Sequence, residues 1–374
     1  MFSQRTQWPV ERNPLASAIA QAGTLLDLTA SNPTQVGFAY GDDALRLLGD
    51  GAGDYAPMST GLSAAREAVA HYYRQRGCAC EPSQVVLAAS TSELYAHVLA
   101  LLCDPGDAVL VPQPSYPLLP YIADFASVKL IPYPLHYDGT WHPELPQAWP
   151  PHARALVVVA PNNPTGNFLK RDELKAMATL APALIVDEVF ADFALEPQPG
   201  QLFSSVGASD CLTFTLSGLS KVALLPQLKL AWCVVSGPSH ERDEALARLE
   251  LMSDTFLSAA APVQRALPAL LELSQQMRQR VRTRLAMNLV GLDAQLAGTP
   301  LSRLTVEGGW SAVVRLPATR DDAEWALHFV VHSAVLVQPG YFYDIPFCAC
   351  VLSLLTPPSE FREGLRRLVA SAGT

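Results

Sequence analysis

The chain has 374 residues, enough for two domains rather than one small core. Only 16% of residues are charged, 49% are apolar and 31 are proline, a composition that excludes intrinsic disorder. The net charge of −9, with no basic run, excludes a surface built to track nucleic acid. So little charge also predicts that part of the surface is buried in an oligomer.

The first residues (MFSQRTQWPVERNP) hold neither an apolar core nor a cleavage site, so the expected location is cytoplasmic. No membrane span is expected: the best candidate, 211–239, is broken by Gly, Pro, Ser and two lysines. The first forty residues are too rich in Pro and polar types to fold alone. Short apolar runs then alternate with helical patterns. Strands are predicted over 85–89, 108–112, 155–160, 183–186, 212–216 and 230–235, and helices over 62–76, 92–103 and 171–180. The strands scarcely alternate in polarity, as strands covered on both faces do. From about Pro238 the pattern turns helical, with interruptions expected at Pro262 and Pro268 and one long helix over 271–296. Apolar runs at 310–316, 334–338 and 350–355 suggest a smaller α+β unit, against which the N-terminal segment would dock. The fold class predicted is α/β. A large domain over 46–280 would hold a mostly parallel mixed sheet covered by helices on both faces, and a smaller α+β domain would be built from the two chain ends, 1–45 and 281–374.

The seven cysteines include Cys78-Ala-Cys80 and Cys348-Ala-Cys350, which lack the spacing of structural zinc sites; no metal is expected, and the thiols read as reduced and buried. Five motifs can carry chemistry, each at the end of a predicted strand, where open parallel sheets bind ligands. Ser90-Thr91-Ser92-Glu93 opens a helix and forms either an anion site or a plain cap. Tyr116 stands in Pro114-Ser-Tyr-Pro. Pro161-Asn162-Asn163-Pro164-Thr165-Gly166 is either an ordinary turn or a turn presenting an amide. Asp187, in Asp187-Glu-Val-Phe190, is either a helix cap or a carboxylate facing a ligand. Lys221, in Ser217-Gly-Leu-Ser220-Lys221, is solvated, or becomes a nucleophilic amine in an uncharged pocket.

In order, Tyr55, Gly61, Ser90-Thr-Ser-Glu, Pro105-Gly-Asp, Tyr116, Asn163-Pro-Thr-Gly, Asp187-Glu, Ser220-Lys221 and Lys229 resemble the fold-type I, pyridoxal-phosphate-dependent aminotransferases of classes I and II over roughly 25–365. The resemblance implies pyridoxal 5'-phosphate as cofactor, with Lys221 as its Schiff-base amine and Asp187 as partner of the pyridine nitrogen. It implies Asn163 at the ring O3′ and Tyr116 stacked on the ring. Thr91, Ser92 and Lys229, with Ser90 and Ser220 beside them, would hold the phosphate. It further implies a homodimer with shared active sites, in which Tyr55 reaches the neighbour's phosphate. The implied reaction is ping-pong transamination between a small amino acid or amine and a keto acid. A lyase on the same scaffold and a silent cofactor-binding regulator are the alternatives.

Three positions depart from the family pattern. Phe190 stands where a Tyr is usual, which removes a phenol from O3′. Lys229 replaces an Arg, exchanging a bidentate fork for a point charge. Val351-Leu352-Ser353 replaces the Arg-x-Ser run that clamps a substrate carboxylate. No Lys or Arg occurs from 321 to 361, so either another cation takes over, Arg315 being one candidate, or the substrate places no carboxylate there.

Overall fold

The computed structural model describes residues 1–8, 14–51 and 53–373. Its centre is an eight-stranded sheet in the spatial order Val85–Ala88, Ala231–Ser236, Leu212–Gly218, Ala183–Asp187, Ala153–Val159, Ala108–Gln113, Lys129–Tyr137, Trp141–Pro143. The five strands from Leu212–Gly218 to Lys129–Tyr137 run parallel. Ala231–Ser236 is antiparallel to both its neighbours, and Trp141–Pro143 is antiparallel to Lys129–Tyr137. Val85–Ala88, Ala183–Asp187, Leu212–Gly218 and Ala231–Ser236 are buried almost along their whole length, as their unbroken apolar runs predicted.

All six predicted strands are present, together with two the sequence hid. Lys129–Tyr137 contains Pro132 and Pro134, which speak against a strand. The Lys129 N–H donates to Asp107 O (2.8 Å), toward the neighbouring strand. Amide direction alternates along a strand, so the even-numbered positions, including both prolines, turn away from Ala108–Gln113 toward the side that only the short strand Trp141–Pro143 covers; the pairing there begins at Leu135, and Pro134 takes part through its carbonyl, which accepts from Glu144 N at 2.9 Å.

A second, antiparallel sheet has the order Ser302–Arg303, Ser311–Arg315, Ala349–Ser353, Gln338–Pro339. The N-terminal segment docks here as expected: Leu26–Asp27 pairs with Val335–Leu336, and Ser353 N donates to Leu28 O at 2.7 Å. Leu28, Trp310, Leu352 and Leu365 share one core beneath this sheet.

The helix Ala261–Leu296 joins the two units. Proline does not interrupt it as expected: Pro262 lies in its first turn, where its missing N–H costs nothing, and Pro268 is carried inside. The helix withstands Pro268 because burial of its apolar stripe outweighs one lost hydrogen bond. Val263, Leu267 and Leu270 pack with Tyr73 and Trp232 of the large unit, while Val281, Leu285, Leu289 and Leu292 pack in the core of the small one. Between these halves Arg278 is buried; its Nη1 donates to Val222 O at 3.1 Å, and its Nε lies 3.6 Å from Asp192 Oδ2. Tyr40 donates to the adjacent Ala223 O at 2.8 Å. The short turn at the end of Leu212–Gly218 is therefore anchored from outside the sheet. No helix among the described residues is long and apolar enough to cross a membrane.

Candidate active site

The carboxyl ends of the parallel strands open onto a cavity of ≈ 350 Å³, closed on its far side by the small unit. Lys221 enters it from the turn Leu219–Val222. Gly218 lets the two strands approach closely before that turn: a Cβ there would meet Ala231 Cα and Leu230 O at 3.0 Å, so a larger residue would push Ala231 back by a few tenths of an ångström. The Lys221 ammonium lies 5.1 Å from the Trp310 ring centre and 5.6 Å from that of Phe190, and the two rings meet edge-on at 5.2 Å. Burial lowers the Lys221 pKa, partly countered by the charge of Asp187, so the amine gives up its proton more readily than a solvated lysine.

Asp187 ends its strand and faces the same cavity, with its Oδ1 accepting from Val189 N at 3.1 Å. Burial pushes its pKa up to about 6, against lowering by that amide, by a hydrogen bond from the Tyr95 hydroxyl and by Lys221. The carboxylate is thus ionised above pH ~6 and ready for a cationic partner. Behind it Glu188 is buried, its pKa raised to about 7 by desolvation, and it accepts from Ser205 N at 2.6 Å.

The helix Thr91–Leu102 aims its N-terminus at the cavity. Ser90 is its cap, its Oγ accepting from Glu93 N at 3.1 Å, while Glu93 accepts from Ala89 N at 2.9 Å. The cap and the anion site are therefore not alternatives. Ser90 shapes the end of the helix, and the first-turn amides remain for an anion, beside Ser92, Ser220 and Lys229. Lys229 adopts a left-handed conformation (φ 50°) after the turn Pro226–Leu228.

The two asparagines of the Pro161–Gly166 turn divide the work. Asn162 is 2% exposed, donates to Pro114 O (3.0 Å) and Thr165 Oγ1 (2.7 Å), and accepts from Ser115 Oγ (3.1 Å). It ties this turn to the loop carrying Tyr116. Asn163 is the one that reaches the cavity, as does Tyr116. Ten of the eleven site residues named from the sequence thus share one cavity: Lys221, Asp187, Asn163, Tyr116, Ser90, Thr91, Ser92, Lys229, Ser220 and Phe190. Tyr55 does not line it. Tyr55 is 81% exposed and borders a separate depression with Met58, His97 and Leu257.

Arg315, considered above as a substitute cation, is not at the site: its guanidinium stacks 4.4 Å from the Phe347 ring centre, and it does not line the cavity. Val351 is buried among apolar side chains that include Tyr343 and Ile345. Ser353 reaches the cavity but donates to Ala30 O at 2.6 Å. The sequence reading missed Tyr95, Trp310, Gln338 and Tyr343. Tyr95 lies four residues after Thr91, hence on the same helix face, and that spacing was a usable signal.

An anion cradle, a carboxylate and an amine of lowered pKa in one cavity are the donor set that fits a phosphorylated aldehyde with a basic ring nitrogen. Residues 42–354 match the profile of the family described as aminotransferase class I and II. The chain is 29% identical to the glutamate-pyruvate aminotransferase of Haemophilus influenzae over 66% of its own length and 63% of that protein's. It is 30% identical to the alanine aminotransferase of Mycobacterium bovis over 66% of its length and 60% of the relative's. These alignments thus span less than two thirds of the curated relatives. The fold matches that of alanine aminotransferase from Pyrococcus furiosus with a TM-score of 0.88, covering 100% of this chain and 99% of that one at 21% identity.

Proposed function

Because the chain belongs to the class I and II aminotransferases, whose cofactor is pyridoxal 5'-phosphate, we propose that it moves an amino group from a small amino acid or amine to a keto acid. The observation that carries this reading is the meeting of Lys221 and Asp187 in one cavity whose other end is a helix N-terminus. The cofactor, when bound, supplies an aldehyde for the substrate amine and an electron-withdrawing ring. Thr91, Ser92, Ser220 and Lys229 would hold its phosphate, and Asn163 and Tyr116 would meet its ring. Asp187 would keep a proton on the ring nitrogen, with Tyr95 steadying Asp187. Lys221 Nζ takes up the Cα proton of the bound amino compound, a role that needs the amine uncharged, as its lowered pKa favours. Trp310 and Phe190 keep water from that nitrogen.

The division of the chain into 46–280 and 1–45 with 281–374 belongs to this reading, the cavity lying between them. So does a homodimer. Tyr55 and Met58 are exposed beside one depression, where Phe256 packs on His97, and a second copy would cover them while Tyr55 entered its cavity.

The test is a spectrum followed by a product assay. Protein loaded with pyridoxal phosphate should show a visible absorption band and be covalently labelled after borohydride reduction, and Lys221→Ala should lose the label. Transfer of the amino group should require a keto acid. Failure to bind the cofactor overturns the reading, and ammonia release without an acceptor replaces transamination by a lyase reaction.

A further inference from the structure

Between two strands of the small sheet the chain crosses back to the large unit, and this crossing ends on Trp310 at the cavity. Glu307 O accepts from Leu195 N at 2.8 Å, Gly308 N donates to Gly166 O at 2.8 Å, and Gly309 N donates to Phe193 O at 2.9 Å. The approach needs glycine on both sides. A Cβ at Gly166, where φ is 75°, would meet Gly308 O at 2.7 Å, and one at Gly308 would meet Phe193 O at 2.7 Å and the Phe168 ring.

Gly308 and Gly309 have no side chains, so the side chain of Glu307 holds the crossing. It is buried, and its two oxygens have different partners: Oε2 accepts from Phe168 N at 2.8 Å, and Oε1 accepts from Lys170 Nζ at 2.7 Å. Phe168 follows the turn that presents Asn163, and Lys170 precedes the helix Arg171–Leu180. One carboxylate thus ties the crossing to two points of the large unit, and shifting it would leave a buried charge uncompensated.

Three residues on, the Trp310 ring stands edge-on to Phe190 and to Phe193, 5.2 Å from each between ring centres, with Lys221 Nζ 5.1 Å from its own centre. Trp310 O then accepts from Leu354 N at 2.8 Å, where the chain rejoins the small sheet. Trp310 is therefore fixed to the large unit through Glu307, although its neighbours on either strand belong to the small one.

Resting on the role given to Lys221 above, we propose that Glu307, paired with Lys170, is a positioning residue that sets the indole of Trp310 over the Lys221 amine. The titratable groups that share the cavity with Lys221 are Asp187, Tyr95, Tyr116, Tyr343 and Lys229; the charge of Asp187 acts on the amine, and burial acts on it more strongly. The indole is part of that burial.

The experiment is competitive labelling of Lys221 with acetic anhydride, read by mass spectrometry against pH on the full cofactor-free chain. Trp310→Ala should raise the labelling midpoint by about one pH unit, toward that of a solvated lysine. Glu307→Gln should raise it in the same direction, and adding Glu307→Gln to Trp310→Ala should shift it no further, since both act through the indole. Lys170→Ala, which leaves the Glu307 side chain in place, should give a smaller rise and serves if Glu307→Gln does not fold. In the cofactor-loaded protein, Glu307→Gln should lower kcat about tenfold with KM changed less. Labelling of Glu307→Gln that follows the wild-type curve while its urea midpoint falls overturns the inference, since Glu307 would then be structural only. So does an unmoved midpoint in Trp310→Ala, or a double variant shifted beyond either single one. The expected shifts without amino transfer from any donor in the loaded wild type overturn the proposed function instead, and leave the placement of Trp310 by Glu307 standing.

Discussion

Tyr95 donates its hydroxyl to the carboxylate of Asp187 from the first turns of the helix whose N-terminus forms the anion cradle. One helix therefore serves both ends of the site, and the distance between carboxylate and cradle is set by helix geometry rather than by a loop.

That hydrogen bond lowers the Asp187 pKa, so Tyr95→Phe should raise it above its value of about 6. Hydrogen bonds to charged groups contribute about 1.5–3 kcal/mol, which corresponds to a shift of about one to two pH units. Cofactor affinity measured against pH should lose its acid limb at correspondingly higher pH in the variant. Superimposable profiles would show that Tyr95 does not act through Asp187.

Asp187 also makes cofactor-free protein sensitive to pH. Its folded pKa is raised from 3.8 to about 6, so between these values the folded state binds more protons than the unfolded state. Its stabilising contribution is complete below pH ~4 and is lost as pH rises through about 6, on the order of 2–3 kcal/mol. Asp187→Asn should remove this loss. In urea titrations without cofactor, the variant should be the more stable protein at pH 8 and match the wild type near pH 4. Glu188 adds a loss of the same sign on approach to its pKa of about 7, and it remains in both proteins. Equal pH slopes in the two would refute the assignment.

Arg278 connects stability to the position of Lys221. Its guanidinium bonds the carbonyl of Val222, the residue after Lys221, and approaches Asp192, both partners being buried. Arg278→Met leaves Val222 O without this donor and weakens the neutralisation of Asp192. Removing one partner of a buried pair costs about 3–5 kcal/mol, and the lower end applies here because Arg76 (2.9 Å) and Tyr72 (3.0 Å) still hold Asp192. A urea midpoint reporting a loss below 1 kcal/mol would mean that the arginine is solvated in solution.

How far the site was legible in the sequence depended on how local its signals are. The strand ends carrying Asp187 and Lys221 stood out because doubly covered strands are short apolar runs, and a charged residue ending one is conspicuous. Lys129–Tyr137 was hidden because its prolines are tolerated only where their N side lacks a full-length partner strand, and that is a property of the assembled sheet. Gln338 and Tyr343 were illegible for a related reason: five residues apart, they meet only because a turn folds one onto the other beside Val351. The long helix was misread at Pro268 because packing against two cores outweighed a local penalty.

Tyr55 offers the sharpest test of a shared site, because it lies outside its own chain's cavity. If two copies exchange this residue, Tyr55→Ala and Lys221→Ala each cripple a dimer by different routes: one removes a phosphate contact given to the partner, the other the amine of its own site. In a mixed dimer, one cavity combines an intact Lys221 with the intact Tyr55 of the other copy, and the second cavity carries both defects. Unfolding and refolding the two variants together should therefore restore activity at limiting cofactor. Random pairing makes half the dimers mixed, each with one sound site, so the recovery expected is about a quarter of the wild-type level per subunit. Activity no higher than the average of the two variants would place Tyr55 outside any shared site.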